Sequence, residues 1–299
     1  MTAPGLASPA VAGPLVRLLR PKQWIKNVLV FAAPAAAGVL DDPTHFLETL
    51  VALVAFCLAA SGTYCLNDAA DADRDRVHPT KRLRPVAAGE ISVTTARTLG
   101  YGLLAASLLV SAVLLDWPLP LAIGSYVAVT TAYTKWLKHI AVLDITAVAT
   151  GFVIRALAGA AATQVPVSDW FLIVASFGSL FMVSGKRSSE LAGSEDSHRQ
   201  RSVLAAYPPG FLDHVRSVSS GMTLLAYALF SFQKADLADS AFPWFELSIV
   251  PFTIAMLRYA LRLSQGDGDA PEELVLSDRT LEVVGGIWVV LFMIGVYTA

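Results

Sequence analysis

The sequence predicts an all-α, polytopic membrane protein with about nine transmembrane helices. Three observations lead there. Of 299 residues, 55% are hydrophobic and only 15% charged, where an ordinary soluble domain carries about 25% charged residues. The apolar residues gather into runs approaching the roughly 20 that a helix needs to cross the hydrocarbon core. The 22 Lys and Arg residues crowd into alternate connections between those runs, the asymmetry that sets orientation in a bilayer. The partner this composition calls for is the lipid bilayer, and no nucleic acid is expected.

Residues 1–16 are rich in Ala, Pro and Gly and lack the basic start and apolar core of a signal peptide, so they are expected to be a disordered leader. Residues 17–299 then form one transmembrane domain. The candidate spans are roughly 27–41, 45–66, 94–115, 118–136, 140–163, 168–185, 217–233, 242–263 and 280–298. The first follows Arg17, Arg20, Lys22 and Lys26 and contains Pro34, so a kink is expected there. Arg74, Arg76, Lys81, Arg82, Arg84 and Arg97 separate the second from the third. Lys135 and Lys138 separate the fourth from the fifth, which itself carries Asp144 and Arg155. Lys186, Arg187, Arg199, Arg201 and Arg216 lie between the sixth and seventh, and Arg258, Arg262 and Arg279 flank the last connection. The opposite connections (DDPTH, DWP, ATQVPVS and QKADLADSAF) hold only Lys234.

That bias puts the N-terminus in the cytoplasm and the C-terminus outside, in the plasma membrane. The two longest basic connections, 67–93 and 186–215, are four spans apart, which suggests two four-helix units and a final helix around a shared cytoplasmic mouth. Cys57 and Cys65 lie in one apolar run and are not expected to form a disulfide. A homo-oligomer is compatible with the sequence, as is a monomer.

Residues 67–89, NDAADADRDRVHPTKRLRPVAAG, interrupt this apolar chain with four aspartates and five basic residues. Asp68, Asp71 and Asp75 follow i, i+3, i+7 and share one face of a helix, while Asp73 points away. Crowded carboxylates repel unless a cation lies between them, and hard oxygen ligands suit Mg²⁺ beside phosphate oxygens. A solvated charged loop is the competing explanation. A calcium loop is excluded, because positions 6 and 12 counted from Asp71 are Arg76 and Arg82, where Gly and Glu are required. Asn67, Lys81 and Arg84 beside the aspartates make the set look like a diphosphate site.

Asn67-Asp68-x-x-Asp71-x-x-x-Asp75, at the end of the second span, with His78-Pro79, Lys81, Arg84-Pro85 and Ala88-Gly89 after it, resembles the first aspartate motif of the UbiA-type intramembrane prenyltransferases. That resemblance covers nearly the whole chain. It implies helices around a central cavity open to the cytoplasm, with Asp68, Asp71 and Asp75 as Mg²⁺ ligands. Where that family carries a second aspartate-rich motif, this chain reads SGKRSSELAGSEDS. Lys186 and Arg187 stand in the place of acids, with Glu190 one turn on and Glu195 and Asp196 beyond. A Lys-Arg pair binds anionic oxygen rather than metal.

PKQWIKNVLVFAAP, VIRALAGAAAT and FGSLFMVSGKRSSEL are similar to the decaprenyl-phosphate phosphoribosyltransferase branch of the family. The resemblance implies transfer of 5-phosphoribose from phosphoribosyl diphosphate (PRPP) to a polyprenyl phosphate, supplying cell-wall arabinan. Substrate contacts are expected from Lys22 and Lys26 on one helical face, Asn67, Lys81, Arg84, Lys135, Lys138, Arg155, Lys186, Arg187 and Glu190, with Tyr64, Tyr126 and Tyr133 at the mouth. For the lysines and tyrosines, anchoring at lipid headgroups is the alternative. His78 and His139 are expected to be loop residues, not catalysts. Two other functions stay open: a prenyltransferase acting on a quinone or other aromatic acceptor, and a non-catalytic polyprenyl-phosphate carrier.

Overall fold

A computed structural model describes residues 13–192, 202–266, 274–275 and 277–298. The expected leader lies outside these residues except for its last few positions, and Glu195 and Asp196 also lie outside. The described residues are helical throughout, with no strand among them.

A short helix, α1 (Pro14–Leu19), ends at Arg20 in the left-handed conformation. There the chain turns into a 3-10 helix, Pro21–Phe31, which runs directly into α2 (Ala32–Ala37). The first apolar run is therefore a broken helical segment, displaced toward the N-terminus of the expected 27–41. This corrects one expectation. At 3.0 residues per turn, positions four apart are turned about 120° from each other, so Lys22 and Lys26 do not share a face. Lys22 is exposed, whereas Lys26 is half-buried and donates to Gln23 at 2.7 Å.

Eight longer helices follow among the described residues: α3 (Pro43–Ala70), α5 (Val93–Leu114), α6 (Pro118–Lys135), α7 (Leu143–Thr163), α8 (Asp169–Ala192), α9 (Phe211–Leu237), α10 (Trp244–Ser264) and α11 (Arg279–Thr298), with the short α4 (Ala72–Arg76) after α3. Five of them, α3, α5, α7, α10 and α11, are long and apolar enough to cross a membrane. Most expected boundaries fall within a few residues of these helices. Their starts are written locally. Asp42 caps α3 by accepting from the Thr44 amide at 2.6 Å, and Ser92 caps α5 by accepting from the Thr95 amide at 3.0 Å. Pro43 and Pro118 occupy first-turn positions, where a missing N–H costs nothing.

The helix α8 departs from expectation at its end. The expected loop at 186 is helix to Ala192, so Lys186, Arg187 and Glu190 sit on its last turns. Arg187 and Glu190 are i, i+3 partners there, and good helix formers let the helix run on past the apolar run.

The helix α7 is the centre of the bundle, packed on α3, α6, α8, α2 and the 3-10 helix. Small residues allow the approach. A Cβ on Gly159 would lie 1.8 Å from the Val30 carbonyl oxygen, so no other residue fits without moving the backbone. Around that crossing, Val30, Phe56, Leu119, Ile123 and Ala158 form a core cluster. The pairs α3–α5, α8–α9 and α10–α11 pack alongside. The C-terminal ends of α3, α6 and α8 and the N-terminal end of α7 carry the charged groups described next.

Candidate active site

Two charged poles occupy this end of the bundle. The first is the aspartate stretch. The helix α3 breaks at Asp71 (φ −95°, ψ 4°) and resumes as α4, while the Asp75 amide still bonds back to the Asp71 carbonyl at 2.9 Å. Because the break barely changes the helical path, Asp68 and Asp75 remain on one side, and Arg84 joins them. Its Nη1 donates to Asp75 Oδ2 at 2.7 Å and to Asp68 Oδ1 at 3.2 Å.

Arg20, from the junction before the 3-10 helix, also donates to Asp68 Oδ1, at 2.5 Å, and lies over the Tyr64 ring 4.9 Å from its centroid. The side chain of Asp68 is 2% exposed and its Oδ2 is buried with no hydrogen-bond partner among the described residues. Asp71 is 27% exposed, with Arg74 3.7 Å away. Asp73 is almost fully exposed beside Arg76, turned away as its spacing requires. Asn67, Lys81 and Tyr64 are half-buried around them. His78 organises the following loop, its Nδ1 accepting from the Thr80 and Lys81 amides at 3.3 and 3.2 Å.

Among the described residues no three His, Cys, Asp or Glu side chains converge as a finished metal site. The donor chemistry nonetheless fits Mg²⁺: hard carboxylate oxygens, one of them buried and unpartnered, beside a half-open carboxylate. Two guanidiniums currently offset the charge that such an ion would meet.

The second pole is closed. Arg187 on α8 donates Nε to Asp144 Oδ2 at 3.0 Å, Nη1 to Glu190 Oε2 at 2.7 Å and Nη2 to the Tyr133 hydroxyl at 3.1 Å. The Tyr207 hydroxyl donates to the other Asp144 oxygen and accepts the Val142 amide at 2.8 Å. Burial, and then the bond to Asp144, push the Tyr207 hydroxyl far above the ordinary phenol range. The Arg187 and Asp144 side chains are 4% and 1% exposed. Arg187, expected to bind phosphate, is thus spent on bonds inside the protein. Its neighbour Lys186 is half-buried and makes no side-chain hydrogen bond or ion pair among the described residues.

Arg155 belongs to neither pole. It is eleven residues along α7 from Asp144, about 16 Å at the helical rise. It donates to Asn27 Oδ1 at 2.8 Å, the Gly151 carbonyl at 2.8 Å and the Tyr126 hydroxyl at 3.0 Å. Arg155 and Tyr126 are thereby placed between α7, α6 and the 3-10 helix, beside the core cluster that includes Tyr126. Lys135 is exposed, its ammonium 5.7 Å from the Trp136 ring, and Lys138 is half-buried on the next turn. Among the described residues neither makes a hydrogen bond or ion pair to the aspartates. Sequence reasoning missed Arg20 and Tyr207. Arg20, which immediately precedes PKQWIK, was a visible signal for the first, but Tyr207 gives none, because its partner is 63 residues away.

The profile of the UbiA prenyltransferase family matches residues 28–277. The chain is 43% identical over 291 residues to a Corynebacterium glutamicum protein named decaprenyl-phosphate phosphoribosyltransferase, covering 96% of this chain and 88% of that one. A protein of the same name from Mycolicibacterium smegmatis is 43% identical over 288 residues, covering 92% and 90%. Among solved structures, a UbiA homolog from Archaeoglobus fulgidus bound to DMAPP and Mg²⁺ superimposes with a TM-score of 0.72 at 18% identity, over 96% of this chain and 100% of that one.

Proposed function

Since this chain belongs to the UbiA prenyltransferase family, we propose that it transfers 5-phosphoribose from PRPP to decaprenyl phosphate, releasing diphosphate. Relatives of that name align along nearly its full length. The observation that carries the reading is the contrast of the poles. One offers carboxylates with an unpartnered oxygen; the other neutralises its acids with an arginine of its own.

In this proposal nine segments span the plasma membrane, residues 17–299 make one domain, and the charged mouth faces the cytoplasm, as the basic residues require. Asp68, Asp71 and Asp75 hold Mg²⁺ on the diphosphate of PRPP, and Asn67 orients the cluster. When bound, the ion stabilises negative charge on the departing diphosphate. Arg84 and Lys81 sit beside the aspartates and bind diphosphate oxygens as the C1–O bond of ribose lengthens. The acceptor phosphate oxygen attacks the opposite face of the ribose. It is already anionic at neutral pH, so the protein supplies no general base, in keeping with His78 being engaged by backbone amides. Lys186 binds the 5-phosphate or the acceptor phosphate, and the prenyl tail lies against the apolar helix surfaces. Lys22, Lys26, Lys135 and Lys138 meet phosphates or headgroups at the rim.

The test is direct. Purified protein incubated with ribose-labelled PRPP, decaprenyl phosphate and Mg²⁺ yields label extractable into butanol. Label that stays wholly in the aqueous phase, under conditions where the protein is folded, rejects the assignment in favour of prenyl transfer or a carrier role.

A further inference from the structure

The acids of the second pole converge on one cation, and that cation is a side chain. Asp144 comes from the first turn of α7 and Glu190 from the end of α8, and Arg187 bridges them while also reaching Tyr133 on α6. Buried carboxylates need a counter-charge at close range. In oxygen-lined sites a divalent ion often supplies it.

From this geometry we propose that Arg187 is a built-in cation standing where a second divalent ion would otherwise be needed. The protein accordingly works with one metal, at the aspartate stretch, and Arg187 positions Tyr133 and Glu190 at the edge of the mouth without touching substrate. The inference rests on the metal reading given under Proposed function.

Arginine suits this place for physical reasons. Its planar fork sends three nitrogens in three directions, it stays charged at every accessible pH, and a lysine ammonium has neither the reach nor the geometry. The hub also fixes a strained point. Val142 precedes α7 at φ +70°, an unusual conformation for a β-branched residue. The Tyr207 hydroxyl, itself held by Asp144, accepts its amide. Removing the guanidinium takes the shared cation from a buried carboxylate, Asp144, and a partly exposed one, Glu190, beside the Tyr133 hydroxyl.

The experiment counts Mn²⁺ bound per chain by electron paramagnetic resonance, on the full protein in detergent with pyrophosphate added. The expected count is one for wild type and two for Arg187→Ala, the second weaker. Arg187→Lys stays at one because the charge remains. Its kcat nevertheless falls about 10- to 100-fold, as for other residues that orient a site from behind, while KM for PRPP changes little. Two ions in wild type overturn the proposal, as does an Arg187→Ala protein that melts like wild type and still binds one. The wild-type count decides the matter if Arg187→Ala does not fold. A count of zero would overturn the metal reading along with this one, whereas a count of two overturns this one alone.

Discussion

The two charged poles use the same residue types toward opposite ends. At the aspartate stretch, Arg20 and Arg84 share one oxygen of Asp68 and leave the other buried without a partner among the described residues, and Asp71 stays a quarter exposed. At the second pole, both oxygens of Asp144 and all three nitrogens of Arg187 are engaged, and these two side chains are 1% and 4% exposed. An unsatisfied buried oxygen is costly, and under the proposed function the Mg²⁺ ion is what offsets that cost. A fully satisfied network rigidifies. In the proposed function the first pole receives the ion and the second holds the helices.

If that contrast is real, mutations at the poles separate by readout. The largest effect is expected for Asp71→Ala. It removes a half-exposed ligand, so the protein folds and inserts normally while turnover falls by about a thousandfold or more, the scale of several kcal/mol of lost charge stabilisation. Near-normal turnover would erase the distinction. Asp144→Ala should act on stability instead, because it removes the buried acceptor of Arg187 Nε and of the Tyr207 hydroxyl while Glu190 still pairs with Arg187, at a cost of about 1.5–3 kcal/mol. A detergent melt that does not shift would show that the second pole holds nothing.

Lys186→Ala comes next. A charge-assisted hydrogen bond to phosphate is worth about 1.5–3 kcal/mol, which appears as a raised KM for PRPP or for the acceptor, with the melting temperature unchanged. Unchanged kinetics for both substrates would take Lys186 out of the site.

The smallest effect belongs to an acid outside both poles. Asp278 accepts from Arg258 at 2.8 Å and caps α11 through the Leu281 amide at 3.1 Å. The Arg258 bond holds its carboxyl below the ordinary aspartate range. A depressed value means that its contribution is present at all pH values above the unfolded pKa and is lost as pH falls through the folded one. Asp278→Asn should therefore narrow the gap in melting temperature between neutral and strongly acidic buffer, without altering turnover at neutral pH. An identical pH profile would contradict the clasp.

Much of this was legible from the chain alone because the information was local. The i, i+3, i+7 spacing of the aspartates announced a shared face, and for Asp68 and Asp75 it survives the break at Asp71, where Arg84 bridges them and the Asp75 amide keeps its helical bond. Apolar runs announced the helices for the same reason. What stayed hidden was long-range or depended on helix type. Arg155 meets Asn27 across 128 residues and Asp144 meets Tyr207 across 63, and no periodicity encodes such pairs. Lys22 and Lys26 were misjudged because a 3-10 helix replaces the α-helix that their spacing presumes. Arg187 was visible as a charge, but only packing shows which way its guanidinium turns.

The most direct measurement follows ribosyl transfer in one purified preparation before and after exhaustive chelation. Removal of divalent ions should abolish butanol-extractable product, and added Mg²⁺ should restore it in wild type but not in Asp71→Ala. Product formation that continues undiminished in the chelated wild-type protein would contradict a metal held by Asp68, Asp71 and Asp75.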